Sequence, residues 1–199
     1  MGKIVYHGSH NGNIEIIKSH VSTHQKKCIY ATDNRIIAML FMNRDMGDLD
    51  TVKIYDNGLP ILIERREGIL EKIYNTSGYI YELDGSSFKH YDYLWKPEVI
   101  SFESAIKPIK KTYYDNILMT LNEEAKNGNL KIYKYPNRPN YIPLDNSDLI
   151  DKYINFELIG MRGAIKSLLA IYPEFEHIVT EKLNKEQNKV KYLILELFE

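Results

Sequence analysis

The sequence is short of several things, and each shortage closes off a class of protein. It holds one cysteine, Cys28, in 199 residues, so an intrachain disulfide framework and a multi-cysteine zinc site are both excluded. No run approaches the roughly 20 apolar residues of a membrane-spanning helix, and no charged-then-apolar signal segment opens the chain. A soluble, cytoplasmic protein that makes no use of a membrane is expected. An excess of either charge is missing too, with Lys plus Arg at 26 against Asp plus Glu at 27 and a net charge of -1. A nucleic-acid partner normally shows as a basic surplus, because binding replaces counterions along the phosphates. What remains is ordinary, with 44% hydrophobic and 27% charged residues, close to an average globular chain. A chain of this length buries roughly 70% of its unfolded surface, enough for a core that needs no metal.

The pattern along the chain predicts an α+β protein. Lys3 to His7 is short and β-branched, stopped by Gly8-Ser9, and reads as a first strand. Ile14 to Lys18 is expected to make one or two helical turns, and Ser19 to Lys27 is polar and reads as loop. Cys28 to Ala31 reads as a second strand, with Thr32 placed to cap a helix over Arg35 to Met42 that is apolar almost all round. Strands follow at Thr51–Tyr55, Ile61–Glu64, Gly78–Leu83, Val99–Phe102 and Ile106–Lys111, with a turn at Asp56-Asn57-Gly58. A helix is predicted from about Asp115 to Lys126, stopped by Gly128. Three of the seven prolines (Pro136, Pro139 and Pro143) fall in one stretch, which marks a linker. The expected division is a domain over 1–135, a linker over 136–148 and a helical region over 149–199, with helical patterns near Leu149, Ala164, Pro173 and Val190.

Three segments carry side chains suited to chemistry. In Tyr6-His7-Gly8-Ser9 an imidazole stands at a strand end beside a glycine, whose bare backbone admits close approach of a ligand. In Ile29-Tyr30-Ala31-Thr32-Asp33 an aromatic ring closes a strand, with Ala38 and Phe41 on the helix behind; such a ring can stack on a flat heterocycle. In Trp95-Lys96-Pro97-Glu98-Val99-Ile100-Ser101, Pro97 suits the start of a strand and puts Glu98 at or just inside it. A carboxylate there can accept from a sugar hydroxyl and stabilise a cationic centre. Each segment alone has an ordinary structural reading: a turn, a packed tyrosine and a solvated glutamate.

Together and in this order the three segments resemble the His, Tyr and Glu motifs of the ADP-ribosyltransferase fold, in its diphtheria-toxin and poly(ADP-ribose) polymerase branch. The similarity covers roughly Ile4 to Lys110. It implies a split β-sheet core with short helices, followed here by a small C-terminal helical region. It implies NAD as co-substrate and no metal, with His7, Tyr30 and Glu98 as catalytic residues and His7, Gly8, Ser9, Tyr30, Ala31 and Thr32 as the residues holding NAD. Glu82 and Glu103 are the alternatives to Glu98. The implied activity is that of a toxin-like mono-ADP-ribosyltransferase of bacterial or phage type, a glycosyltransferase that cleaves the nicotinamide–ribose bond. The acceptor, protein or nucleic acid, is left open. Lys96 stands two positions before Glu98, where arginine-directed members carry Glu or Gln, which speaks against arginine as acceptor.

Two other readings share the fold. One is a catalytically inactive module that binds NAD, ADP-ribose or a protein. The other is an RNA 2′-phosphotransferase-like enzyme, which needs arginines at the site to hold a phosphate; Arg35, Arg44, Arg65 and Arg66 are the ones within the matching region. His20 and His24 have helix-compatible metal spacing, but only Cys28 stands near as a third ligand, and a structural zinc site wants four. Glu64-Arg65-Arg66-Glu67 reads as a solvated mixed-charge face.

Overall fold

The structure, a computed structural model, describes residues 2–21, 26–42, 51–54 and 58–196. The chain is mixed α+β and divides into two compact units, Met1–Arg138 and Pro139–Glu199, the division falling within the proline-rich stretch.

The first unit begins with β1 (Ile4–Ser9), β2 (Ile17–Lys18), β3 (His20–Val21), β4 (Lys27–Thr32) and α1 (Arg35–Leu40). It continues through β5 (Thr51–Ile54), β6 (Pro60–Ile63), α2 (Ile69–Tyr74), β7 (Gly78–Asp84) and β8 (Glu98–Ser101). It ends with β9 (Ala105–Ile106), β10 (Lys110–Tyr114), α3 (Ile117–Lys126) and β11 (Lys131–Tyr133). The main sheet runs β10-β7-β1-β4-β3, with β8 also on β4, and each of these pairings is antiparallel. Directly opposed residues share a face. Val5 opposite Leu83 and Ala31 opposite Val99 therefore join Ile29, Tyr81 and Phe88 in one buried cluster. The other face of β4 and β8 buries Cys28 and Ile100 against Leu94, with Tyr30 and Tyr91 packed beside them.

Several local expectations need correction. Ile14 to Lys18 forms no helix: Ile17 and Lys18 pair with Ile106 and Ala105 as a two-residue ribbon, and partners 87 and 89 residues away outweigh a weak local tendency. The polar stretch after it is not all loop, because His20 and Val21 pair with Cys28 and Lys27; His24 lies outside the described residues. The cap of α1 is Asn34 and not Thr32. Its Oδ1 accepts from the N–H groups of Ile36 (2.8 Å) and Ile37 (3.3 Å), while the Thr32 hydroxyl accepts from Asn34 N one turn earlier. The apolar character of α1 is as expected, with Ile36 to Leu40 all buried.

Glu64 and Arg65 are buried, not part of a solvated face. The Glu64 carboxylate accepts from Gly68 N at 3.0 Å and Tyr135 N at 3.1 Å, so its charge is met by donors on two sides. It thereby ties the end of β6 to the start of α2 and the end of β11. The sequence pattern also missed α2 and β11, and it ran β9 and β10 together as one strand. β11 lies parallel to β6, whose other neighbour is β5. The turn residues Asp56 and Asn57 lie outside the described residues.

The second unit holds α4 (Ser147–Leu158), α5 (Ala164–Ile171) and α6 (Glu176–Glu196), with a 3-10 turn at Pro173–Phe175 leading into α6. Leu149, Ile150, Tyr153 and Ile154 are the buried stripe of α4, and Leu168 and Ile171 that of α5. The rings of Tyr172 and Phe175 stack with centroids 5.0 Å apart. The two helices expected near Pro173 and Val190 are one continuous helix, since nothing between them breaks the backbone hydrogen bonding. Among the described residues no helix is long and apolar enough to cross a membrane.

Candidate active site

The site begins with a defect in the main sheet. β1 and β4 each run for six residues, yet only Tyr6 opposite Thr32 pairs them. Beyond that bridge the ladder stops, and a side chain takes its place: Nδ1 of His7 lies 2.9 Å from the carbonyl oxygen of Tyr30. A carbonyl only accepts, so Nδ1 carries the proton and donates. Burial pushes the His7 imidazole below its ordinary value of 6.5, the bond to Tyr30 works the other way, and His20 adds to the lowering. His7 is therefore a neutral imidazole with Nε2 as a hydrogen-bond acceptor.

Next to this gap lies a cleft of about 280 Å³, lined by Tyr6, His7, Gly8, His20, Tyr30, Ala31, Phe41 and Glu98. Five of the residues singled out in the sequence, His7, Gly8, Tyr30, Ala31 and Glu98, converge there from three separate strands. Glu98 opens β8 opposite Thr32. Its N–H donates to Trp95 O at 2.8 Å and its Oε2 accepts from Trp95 N at 3.1 Å, so a tight turn fixes the carboxylate. Of the two rival glutamates, Glu82 sits on β7 with Lys110 at 3.3 Å and Glu103 is exposed after β8. Neither lines the cleft.

Ser9 and Thr32 do not line it either. The Ser9 hydroxyl accepts from Asn11 N at 3.1 Å, and Thr32 is fully buried beneath the start of α1. Both secure the backbone on which the lining residues stand. Gly8 is at the cleft, but its missing Cβ answers to a different neighbour. A Cβ there would fall 2.0 Å from the carbonyl oxygen of Ala38 and 3.0 Å from Met42 Cγ. Helix α1 lies directly against β1, and only a residue without a side chain lets it do so.

Three lining residues escaped the sequence reading as site residues. Tyr6 precedes His7 on β1 and Phe41 ends α1; Phe41 is 40% exposed and meets Trp95 edge-on at 6.0 Å. His20 lies in the polar stretch with no strand pattern of its own, and the β3–β4 pairing brings its ring to 5.8 Å from that of Tyr30. Among the described residues no cluster of three His, Cys, Asp or Glu is arranged to hold a metal. The site thus combines three aromatic rings, a neutral imidazole held at one nitrogen, a second imidazole that is exposed, and a fixed carboxylate. No family model, no curated protein and no solved structure matches the chain, so the reading of this cleft stands on its own geometry.

Proposed function

We propose that the Met1–Arg138 unit has the ADP-ribosyltransferase-type split sheet and is an NAD-dependent mono-ADP-ribosyltransferase. It would break the nicotinamide–ribose bond and pass ADP-ribose to an acceptor. The observation that carries this reading is the convergence of His7, Tyr30 and Glu98, from strands far apart in sequence, on one cleft.

The parts suit the chemistry. Tyr30 and Phe41 give aromatic walls for a flat ring, each stacking contact adding about 0.5–1.5 kcal/mol beyond burial. His7 Nε2 accepts from a ribose hydroxyl. As the C1′–N bond breaks, nicotinamide leaves with the electron pair and positive charge develops on the ribose ring, the problem that glycosidases also meet with carboxylates. The Glu98 carboxylate, fixed by its turn, stabilises that charge without having to reorganise. A nucleophile on the acceptor then bonds to C1′ and gives its proton to solvent. At 280 Å³ the cleft is at the small end of ligand sites, sized for a ring and its sugar, with the rest of a dinucleotide reaching out of it.

The inactive-module reading draws on one feature, the hydrogen bond from Trp95 N to Glu98 Oε2, which gives Glu98 a role in the loop alone. The phosphotransferase-like reading loses ground. Among the described residues neither Arg35, Arg65 nor Arg66 lines the cleft, and Arg35 is engaged with Tyr114 and Glu124. The test is nicotinamide release from NAD by the purified chain with lysate as acceptor source, beside Glu98→Ala. Release that Glu98→Ala abolishes supports the enzyme. NAD binding by calorimetry with no release in either protein supports the module.

A further inference from the structure

His20 sits at one end of the cleft and Glu98 at the other. His20 is opposite Cys28 on β4, and Glu98 is opposite Thr32. Cys28, Tyr30 and Thr32 alternate onto one face of the strand, so their partners His20 and Glu98 share that face, with the Tyr30 ring between them. Four residues along a strand is roughly 13 Å. Both side chains line the same cleft. Among the described lining residues no lysine or arginine is present, and Nδ1 of the other histidine, His7, is committed to the Tyr30 carbonyl. The cleft therefore has an anionic end, at Glu98, and an end where the exposed imidazole of His20 offers an N–H donor.

NAD has the complementary polarity. Its pyridinium is cationic, and its diphosphate, one ribose away, is anionic. We propose, on the basis of the transferase reading above, that His20 is the residue that orients the dinucleotide, donating to a diphosphate oxygen while the pyridinium-ribose end lies towards Glu98. A hydrogen bond to a charged oxygen is among the stronger ones a side chain can make, and it gives the cleft a preference for dinucleotide over the bare nucleoside. The Tyr30 ring beside His20 limits where the imidazole can point.

The test compares two ligands that share the pyridinium-ribose end and differ in the ADP moiety that carries the diphosphate. Calorimetry with NAD and with nicotinamide riboside, on wild type, His20→Ala and His20→Arg, tests it. The expected result is a loss of about tenfold or more in NAD affinity for His20→Ala, little change for nicotinamide riboside, and recovery of NAD binding in His20→Arg. Equal weakening of both ligands would mean that His20 merely supports Tyr30, and the proposal fails; no weakening of NAD binding defeats it as well. If folded wild type binds neither ligand, the transferase reading itself falls and takes this assignment with it. A thermal melt of each variant establishes that the comparison is between folded proteins.

Discussion

Nδ1 of His7 donates to the carbonyl oxygen of Tyr30 across 2.9 Å, joining two strands at the point where their own ladder has ended. This bond does structural and chemical work together. It replaces a missing backbone hydrogen bond at the centre of a sheet, and it fixes the tautomer that leaves Nε2 an acceptor. The cleft lies beside this interruption of the β1–β4 pairing.

The state of His7 sets a pH dependence. Its folded value lies below 6.5, chiefly because burial disfavours the charged ring. The unfolded chain therefore binds a proton here before the folded chain does, and stability falls as pH drops from about 6.5 through the lowered folded value. Replacement by glutamine should flatten that part of the stability–pH curve. Nitrogen-detected NMR titration should show the His7 ring still neutral, with Nδ1 protonated, at a pH where an exposed histidine is half charged. A ring that titrates at or above the ordinary value contradicts the assignment.

Gly8→Ala should be among the most damaging single changes in the first unit. The added methyl meets the Ala38 carbonyl oxygen at 2.0 Å, a backbone atom that cannot step aside, so α1 must shift away from β1. A loss of about 3 kcal/mol in denaturant unfolding is expected. The displaced helix carries the chain on to Phe41, so ligand binding should weaken as well. An alanine variant as stable as wild type would mean that α1 does not lie where it is placed.

Tyr81 is nearly fully buried, yet its hydroxyl donates to Asn11 O at 2.6 Å. It ties the segment that follows β1 to β7. Tyr81→Phe removes the donor to the Asn11 carbonyl and the acceptor of the Ile14 N–H and should cost about 1 kcal/mol. Hydrogen exchange should report the change in residues 10–14 before it appears elsewhere. Uniform exchange across the unit would argue against a local anchor.

Glu64→Ala tests the buried carboxylate. Two backbone N–H groups, of Gly68 and Tyr135, lose their acceptor, and a loss of about 2–4 kcal/mol is expected. Glu64→Gln keeps one acceptor oxygen and should recover part of it. A solvated glutamate, as the sequence pattern suggested, would give a change near zero.

What the sequence disclosed follows the range over which each feature is determined. The strands holding His7 and Tyr30, the buried character of α1 and the position of Glu98 behind Pro97 are set by a few adjacent residues, and local pattern finds them. The two-residue pairing of Ile17 and Lys18 with β9 and the parallel pairing of β11 with β6 depend on partners about 70–90 residues away, which no window along the chain contains. His20 and its partner Cys28 are only eight residues apart, but the polar run between them carries no strand pattern, and only that pairing makes His20 a wall of the cleft. Glu64 looked solvated because its donors, Gly68 N and Tyr135 N, are backbone groups that a side-chain pattern cannot register. Gly8 lines the cleft, but the close neighbour that its missing Cβ admits is α1.

In the proposed reaction the Glu98 carboxylate stabilises the charge that develops as the nicotinamide–ribose bond breaks. The most direct measurement is the rate of nicotinamide release from NAD, with lysate as acceptor source, for wild type, Glu98→Gln, Glu82→Gln and Glu103→Gln. This role for Glu98 predicts release by wild type and a fall of about 10²-fold or more in Glu98→Gln, with NAD affinity nearly kept. It also predicts rates close to wild type for the other two variants, whose carboxylates do not line the cleft. Release that survives Glu98→Gln, or that disappears instead in Glu82→Gln or Glu103→Gln, contradicts it.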